Sequence, residues 1–176
     1  GVGSLYFGGG FPEVYAEELE ANAALRSQIK EAVERGLPVY AECGGLMYLS
    51  DSIESLNGEL HTMVGAVPGK IMMSQKLHNF GYKQGKIITD TILGKEGTPV
   101  RGHEFHYSRR HIKEDEKNYS YELTNRKSEE KQIEGFARKL LLASYLHLHF
   151  LSNPDWARNF VSSAVRYAAN EKEAFV

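Results

Sequence analysis

Tyr40-Ala41-Glu42-Cys43-Gly44-Gly45-Leu46-Met47-Tyr48-Leu49 sets the single cysteine of this 176-residue chain between two kinds of local structure. Upstream, Leu37-Pro38-Val39-Tyr40-Ala41 is a short β-branched and aromatic run that reads as a buried strand. Downstream, Leu46 to Leu49 read as the start of a helix. Strand, sharp turn and helix with a nucleophilic residue at the turn is the arrangement that presents a side chain outward. A lone cysteine is more often plain core, and Gly44 and Gly45 tip the reading toward a nucleophile that a substrate can approach closely. The free N–H groups and dipole of the following helix are expected to stabilise the thiolate and lower its pKa toward neutrality.

The segment before this motif opens with Ser4-Leu5-Tyr6-Phe7, an apolar run stopped by Gly8-Gly9-Gly10, as in a parallel strand entering a loop. Such a loop can aim the N–H groups of Gly9 and Gly10 at a developing oxyanion, beside the N–H of Gly44. It has neither the lysine nor the serine or threonine of a Walker-type phosphate loop, and Pro12 interrupts it. A strand this close to the N-terminus joins the middle of a parallel sheet only if others flank it, so upstream strands are expected to be missing. Between the two motifs, Leu19, Ala23, Leu25, Ile29, Ala32 and Val33 fall at helical spacing, predicting a helix over Val14–Arg35 that ends at Gly36.

Downstream, residues 58–108 carry scattered glycines and runs such as Met63-Val64-Gly65-Ala66-Val67 and Lys86-Ile87-Ile88-Thr89, which predict short antiparallel strands and no helix. The charged stretch 115–131 reads as a solvated hairpin with Tyr119, Tyr121 and Leu123 facing inward. Leu140 to Leu146 form another buried strand, and Asn153-Pro154-Asp155 start a closing amphipathic helix through Trp156, Phe160, Val161 and Val165.

Tyr145-Leu146-His147-Leu148-His149-Phe150 brings two histidines to the end of that strand, on one face by the period of two. Either could serve Cys43 as base. Arg101-Gly102-His103-Glu104-Phe105-His106-Tyr107-Ser108 is dense in polar groups and is expected to line the mouth of the site or pack around the base. His103 and His106 are three apart and face opposite ways on a strand, so the spacing does not match a zinc helix and no metal site is expected.

Composition narrows the classes further. The chain has 21 basic and 23 acidic residues and a formal charge of -2, so no basic field exists to hold nucleic acid. One cysteine cannot form an internal disulfide, and no apolar run reaches the ~18 residues of a membrane span. Residues 1–176 are therefore expected to form one domain of a cytoplasmic protein.

Four of these motifs, Leu5–Glu13, Tyr40–Leu49, Gly102–Ser108 and Ala143–Phe150, occur in the order found in the cobyrinic acid a,c-diamide synthase family, and the chain resembles the C-terminal glutaminase domain of that family. The resemblance implies a class I glutamine amidotransferase of flavodoxin-like, three-layer α/β fold. It implies glutamine as substrate and transfer of ammonia to an N-terminal ATP-dependent synthetase domain, which would amidate the a and c carboxylates of a corrin acceptor. ATP and Mg2+ would belong to that domain, with no cofactor in this segment. Cys43 aligns with the nucleophile and His147 with the base. His149 stands where the wider class has its triad glutamate, so His149 or Glu104 is expected to orient the base or bind substrate. Three other readings stay open: a cysteine hydrolase acting on another amide or ester, an amidotransferase-like interaction module without catalysis, and a synthase for another tetrapyrrole.

Overall fold

The computed structural model describes residues 2–113, 118–125 and 130–173. A four-stranded sheet holds the middle of the fold: β1 (Leu5–Phe7), β2 (Val39–Glu42), and two strands from the C-terminal third, β12 (Leu141–Ser144) and β11 (Phe136–Arg138), in the order β1-β2-β12-β11. The first three run parallel and β11 is antiparallel to β12. β2 and β12 are buried along their whole length, apolar up to the closing Glu42 and Ser144, because both of their faces are covered. Val39, Ala41, Leu141 and Ala143 enter one core with Ile29, Val33 and Leu46, whereas Tyr40 and Leu142 enter a second core with Leu123 and Trp156. Alternation along two strands thus builds the layered α/β architecture expected of a flavodoxin-like domain.

Two further sheets follow the turn at Cys43. β3 (Ser50–Glu54), β4 (Leu60–Thr62), β5 (Val67–Met73) and β8 (Ser108–His111) form one, in the order β4-β3-β5-β8. The other is antiparallel, β10 (Lys131–Glu134), β9 (Tyr121–Asn125), β6 (Asn79–Ile87), β7 (Pro99–His106) and β13 (His147–Leu148). The segment 58–108 is strand and turn, as its glycines predict, although β3 pairs with β5 in parallel. β9 and β10 pair antiparallel, with Tyr121 and Leu123 fully buried. Residues 114–117 and 126–129 of the predicted hairpin lie outside the described residues.

Helical expectations hold with three corrections. The helix predicted over Val14–Arg35 is a 3-10 turn (Pro12–Tyr15), α1 (Ala16–Ala21) and α2 (Ala23–Glu34). Asn22 breaks it because its side chain accepts the Leu25 N–H at 3.3 Å and caps α2. After Cys43, α3 (Gly44–Leu49) lasts six residues, since Ser50 leaves the helix in extended conformation and its hydroxyl donates back to the Leu46 carbonyl at 2.9 Å. The closing helix α4 (Pro154–Glu173) buries Trp156 and Ser163, but Val161 and Val165 are exposed because they lie off that face. No helix among the described residues is long and apolar enough to cross a membrane.

Candidate active site

Cys43 sits between β2 and α3 with φ 47° and ψ -102°, a backbone conformation that L residues rarely adopt. Strain of this kind persists only where the surroundings hold it. Here the Cys43 N–H donates to the Ser144 carbonyl at 2.8 Å, and its own carbonyl accepts the Met47 N–H at 3.1 Å to start α3. The turn is therefore pinned to the neighbouring strand on one side and to the helix on the other.

The glycines around it have a different role from the one the sequence suggested. A Cβ on Gly44 would come within 2.5 Å of the Gly10 carbonyl oxygen and 2.7 Å of its nitrogen, and one on Gly45 within 2.5 Å of the Phe7 carbonyl oxygen. The space that a side chain would occupy is filled by the end of β1 and the loop after it, not left open to substrate. A Cβ on Gly9 would approach His147 Cε1 to 2.5 Å. The loop Gly8–Gly10 is thus wedged between the Cys43 turn and His147. It is committed to that contact and carries no lysine, so it does not fit the phosphates of ATP.

One pocket of about 660 Å3 is lined by Gly9, Gly10, Cys43, His103, Glu104 and His147, with Phe11, Phe80, Tyr82 and Phe105 around them. The Cys43 thiol donates to the Phe105 carbonyl at 3.9 Å. β13 pairs with β7 so that His147 lies opposite His103, and their rings stack at 4.7 Å and 9°. His147 therefore shares the pocket with Cys43. His149 does not: it is exposed and borders an adjoining cavity of about 390 Å3. β13 ends at Leu148, and the chain turns away at His149 into the 3-10 turn Phe150–Ser152.

Glu104 lines the pocket from β7, but its carboxylate is engaged elsewhere. It lies 3.6 Å from the Lys83 ammonium and accepts from Gln132 Nε2 at 3.4 Å. Burial, with the nearby Glu134, pushes its pKa up to about 7. The carboxylate that bears on His147 is Glu42, the residue before Cys43. Glu42 accepts from the Leu148 N–H at 2.8 Å, from the Tyr40 hydroxyl at 2.5 Å and from the Tyr6 hydroxyl at 2.8 Å. It ties β1, β2 and β13, the strand that carries His147, together. A buried acid ending an apolar strand was the sequence signal for it.

The electrostatics correct one expectation. Burial pushes the Cys43 thiol up to about 11, and Glu13, Glu134 and Glu42 add to that, against a lowering by the Gly44 N–H alone. A six-residue helix cannot offset the loss of water around a residue only 7% exposed. Burial lowers the His147 pKa, opposed by Glu42 and assisted by His103. At neutral pH Cys43 is a thiol and His147, in the same pocket, a neutral imidazole, so proton transfer would have to accompany attack. His103 and His106, both on β7, face opposite ways as expected: His103 is exposed to the pocket and His106 is buried beneath it. Among the described residues, no three His, Cys, Asp or Glu side chains gather as a metal-ligand set.

Residues 1–155 match the family of CobB/CobQ-like glutamine amidotransferase domains. Over 163 residues, 91% of its length, the chain is 45% identical to a cobyrinate a,c-diamide synthase of Dehalococcoides mccartyi. It is 45% identical over 161 residues to that of Caldanaerobacter subterraneus, and 42% over 168 residues to that of Leptospira interrogans. It spans 35% of the length of the first two of these relatives and 37% of the third. Among solved structures, it is similar to a glutamine amidotransferase (TM-score 0.56, 16% identity, 92% of this chain and 79% of that one). It is also similar to PurLQS from Thermotoga maritima (TM-score 0.55, 15% identity, 89% and 72%). These two likenesses concern the fold alone.

Proposed function

The chain belongs to the CobB/CobQ-like glutamine amidotransferase domain family, and from that premise we propose that it hydrolyses glutamine at Cys43 to supply ammonia for amidation of the a and c carboxylates of cobyrinic acid. The observation that carries the reading is a cysteine on a strained strand-to-helix turn, in one pocket with His147 and the Gly9–Gly10 loop.

The chemistry follows from the states of the two groups. His147, neutral at pH 7, takes the Cys43 proton as sulfur attacks the side-chain amide carbon of glutamine. The N–H groups of Gly44, Gly9 and Gly10 receive the oxyanion. His147 returns the proton to the departing nitrogen, ammonia leaves, and water, activated by the same imidazole, releases glutamate from the thioester. Glu42 holds β13 through the Leu148 N–H and stabilises the imidazolium that forms at each step.

The ammonia acceptor, ATP and Mg2+ are assigned to an N-terminal synthetase partner, in keeping with the one-third of its relatives' length that this chain spans. The cytoplasm is the proposed location. Glutamate release from glutamine, measured for the wild-type protein, Cys43→Ala and His147→Ala, alone and with the synthetase partner added, tests this. Release that both substitutions abolish supports the reading; wild-type silence with the partner present refutes it in favour of a non-catalytic interaction module.

A further inference from the structure

Cys43 also borders a second, much smaller cavity of about 30 Å3, bounded in part by Gly10, Glu13, Met47, His106 and Ser108. That is room for about one water-sized molecule; glutamine, with ten non-hydrogen atoms, cannot enter and belongs to the larger pocket. Two of the side chains lining the small cavity have buried atoms without a hydrogen-bond partner, Glu13 Oε2 and His106 Nε2.

Both atoms are acceptors. His106 Nδ1 lies 2.8 Å from the Ser108 carbonyl and must donate to it, which leaves Nε2 with its lone pair free. Burial holds this ring neutral, with its pKa down at about 4. A carboxylate oxygen can only accept, and the charges that act on the Cys43 thiol are all negative: Glu13, Glu134 and Glu42. The guest that fits has one non-hydrogen atom and several donor hydrogens. Hydrolysis of an amide at Cys43 releases such a molecule beside this cavity.

We infer that the cavity is a receiving site for the ammonia that leaves the glutamine amide, with Glu13 Oε2 and His106 Nε2 as its acceptors. This rests on the glutaminase reading. As the tetrahedral intermediate collapses to the Cys43 thioester, the C–N bond breaks and the nitrogen, having taken the proton from His147, departs as NH3. Two of its N–H bonds are donated to the two acceptors, while the glutamyl group stays in the larger pocket. Ammonia held there is still within reach of the thioester, so thioester formation is reversible and isotopic nitrogen re-enters glutamine.

The test is incubation of the protein and its synthetase partner with glutamine and 15N-ammonium chloride, with mass spectrometry of the recovered glutamine and glutamate release measured in the same samples. Wild-type exchange is expected to saturate with ammonium. Glu13→Gln and His106→Phe each raise the ammonium concentration for half-maximal exchange about tenfold, the loss of one strong hydrogen bond, and leave the KM for glutamine unchanged; Glu13→Asp restores saturation. Exchange that is absent or unsaturable in the wild type, or half-saturation unaltered in both variants, overturns the inference if glutamate is still released. A rise in the glutamine KM with ammonium saturation unaltered also overturns it, by assigning Glu13 to the substrate's α-ammonium. No glutamate release in the wild type removes the glutaminase reading instead.

Discussion

At Cys43, burial and three carboxylates outweigh the only stabilising dipole at the sulfur, so the thiol stays protonated until a base removes its proton. Removing one of those charges must favour the thiolate. Glu13→Gln is therefore expected to speed iodoacetamide alkylation of Cys43 at pH 8, and an unchanged or slower rate would refute the electrostatic account. Glu42 acts on His147 with the opposite sign, raising its pKa. In Glu42→Gln the acid limb of the kcat/KM profile moves to lower pH, and kcat/KM falls by up to about 100-fold as the imidazole loses its support and its aim. The turn around Cys43 was legible in the sequence as a strongly patterned local motif, whereas the Tyr145–Phe150 run offered His147 and His149 alike and only the family resemblance preferred His147. Glu42 was not assigned, since its bearing on His147 depends on the Leu148 N–H of β13 reaching the Glu42 carboxylate, a contact between residues 106 positions apart. Glu104's contacts with Lys83 and Gln132 were hidden too, because they depend on how β6, β7 and the strand bearing Gln132 come together.

Elements meet at this site through backbone contact that only glycine permits. In Gly44→Ala the new methyl collides with the Gly10 backbone, which cannot rotate away as a side chain could. The expected loss is about 1–3 kcal/mol in urea denaturation, together with glutaminase activity. Gly9→Ala meets the His147 ring instead. It should leave the urea midpoint nearly unchanged and lower kcat, because the base moves while the fold does not. Strands and their two-sided burial were readable from runs such as Val39–Ala41 and Leu141–Ala143. The break at Asn22 and the early end of α3 were not, since each depends on one side chain competing for backbone hydrogen bonds within an otherwise helical pattern.

For the whole molecule, two buried groups set opposing responses to acid. His106 is neutral in the fold with its pKa lowered from 6.5 to about 4, so the stability tied to its neutral form is fully present above pH 6.5 and is lost as pH falls toward 4. Glu104, raised from 4.5 to about 7, does the reverse and gains stability as pH falls from 7 toward 4.5. His106→Phe removes the first effect and keeps the second. Between pH 7 and 5 the variant should therefore gain about 2 kcal/mol on the wild type in urea denaturation; parallel curves would contradict the assignment.

The strand, turn and helix around Cys43 were legible in the sequence and the layered α/β class followed from the family resemblance, whereas the large antiparallel sheet that carries His147 to Cys43 emerges only from long-range pairing. The proposed convergence of Cys43 and His147 on glutamine is best tested by acid-quenching the protein during turnover of radiolabelled glutamine and mapping the label by peptide digestion. A glutamyl adduct on the Cys43 peptide, absent in Cys43→Ala, is the predicted result. Glutamate formation with no label at Cys43, or label on another residue, would contradict the account.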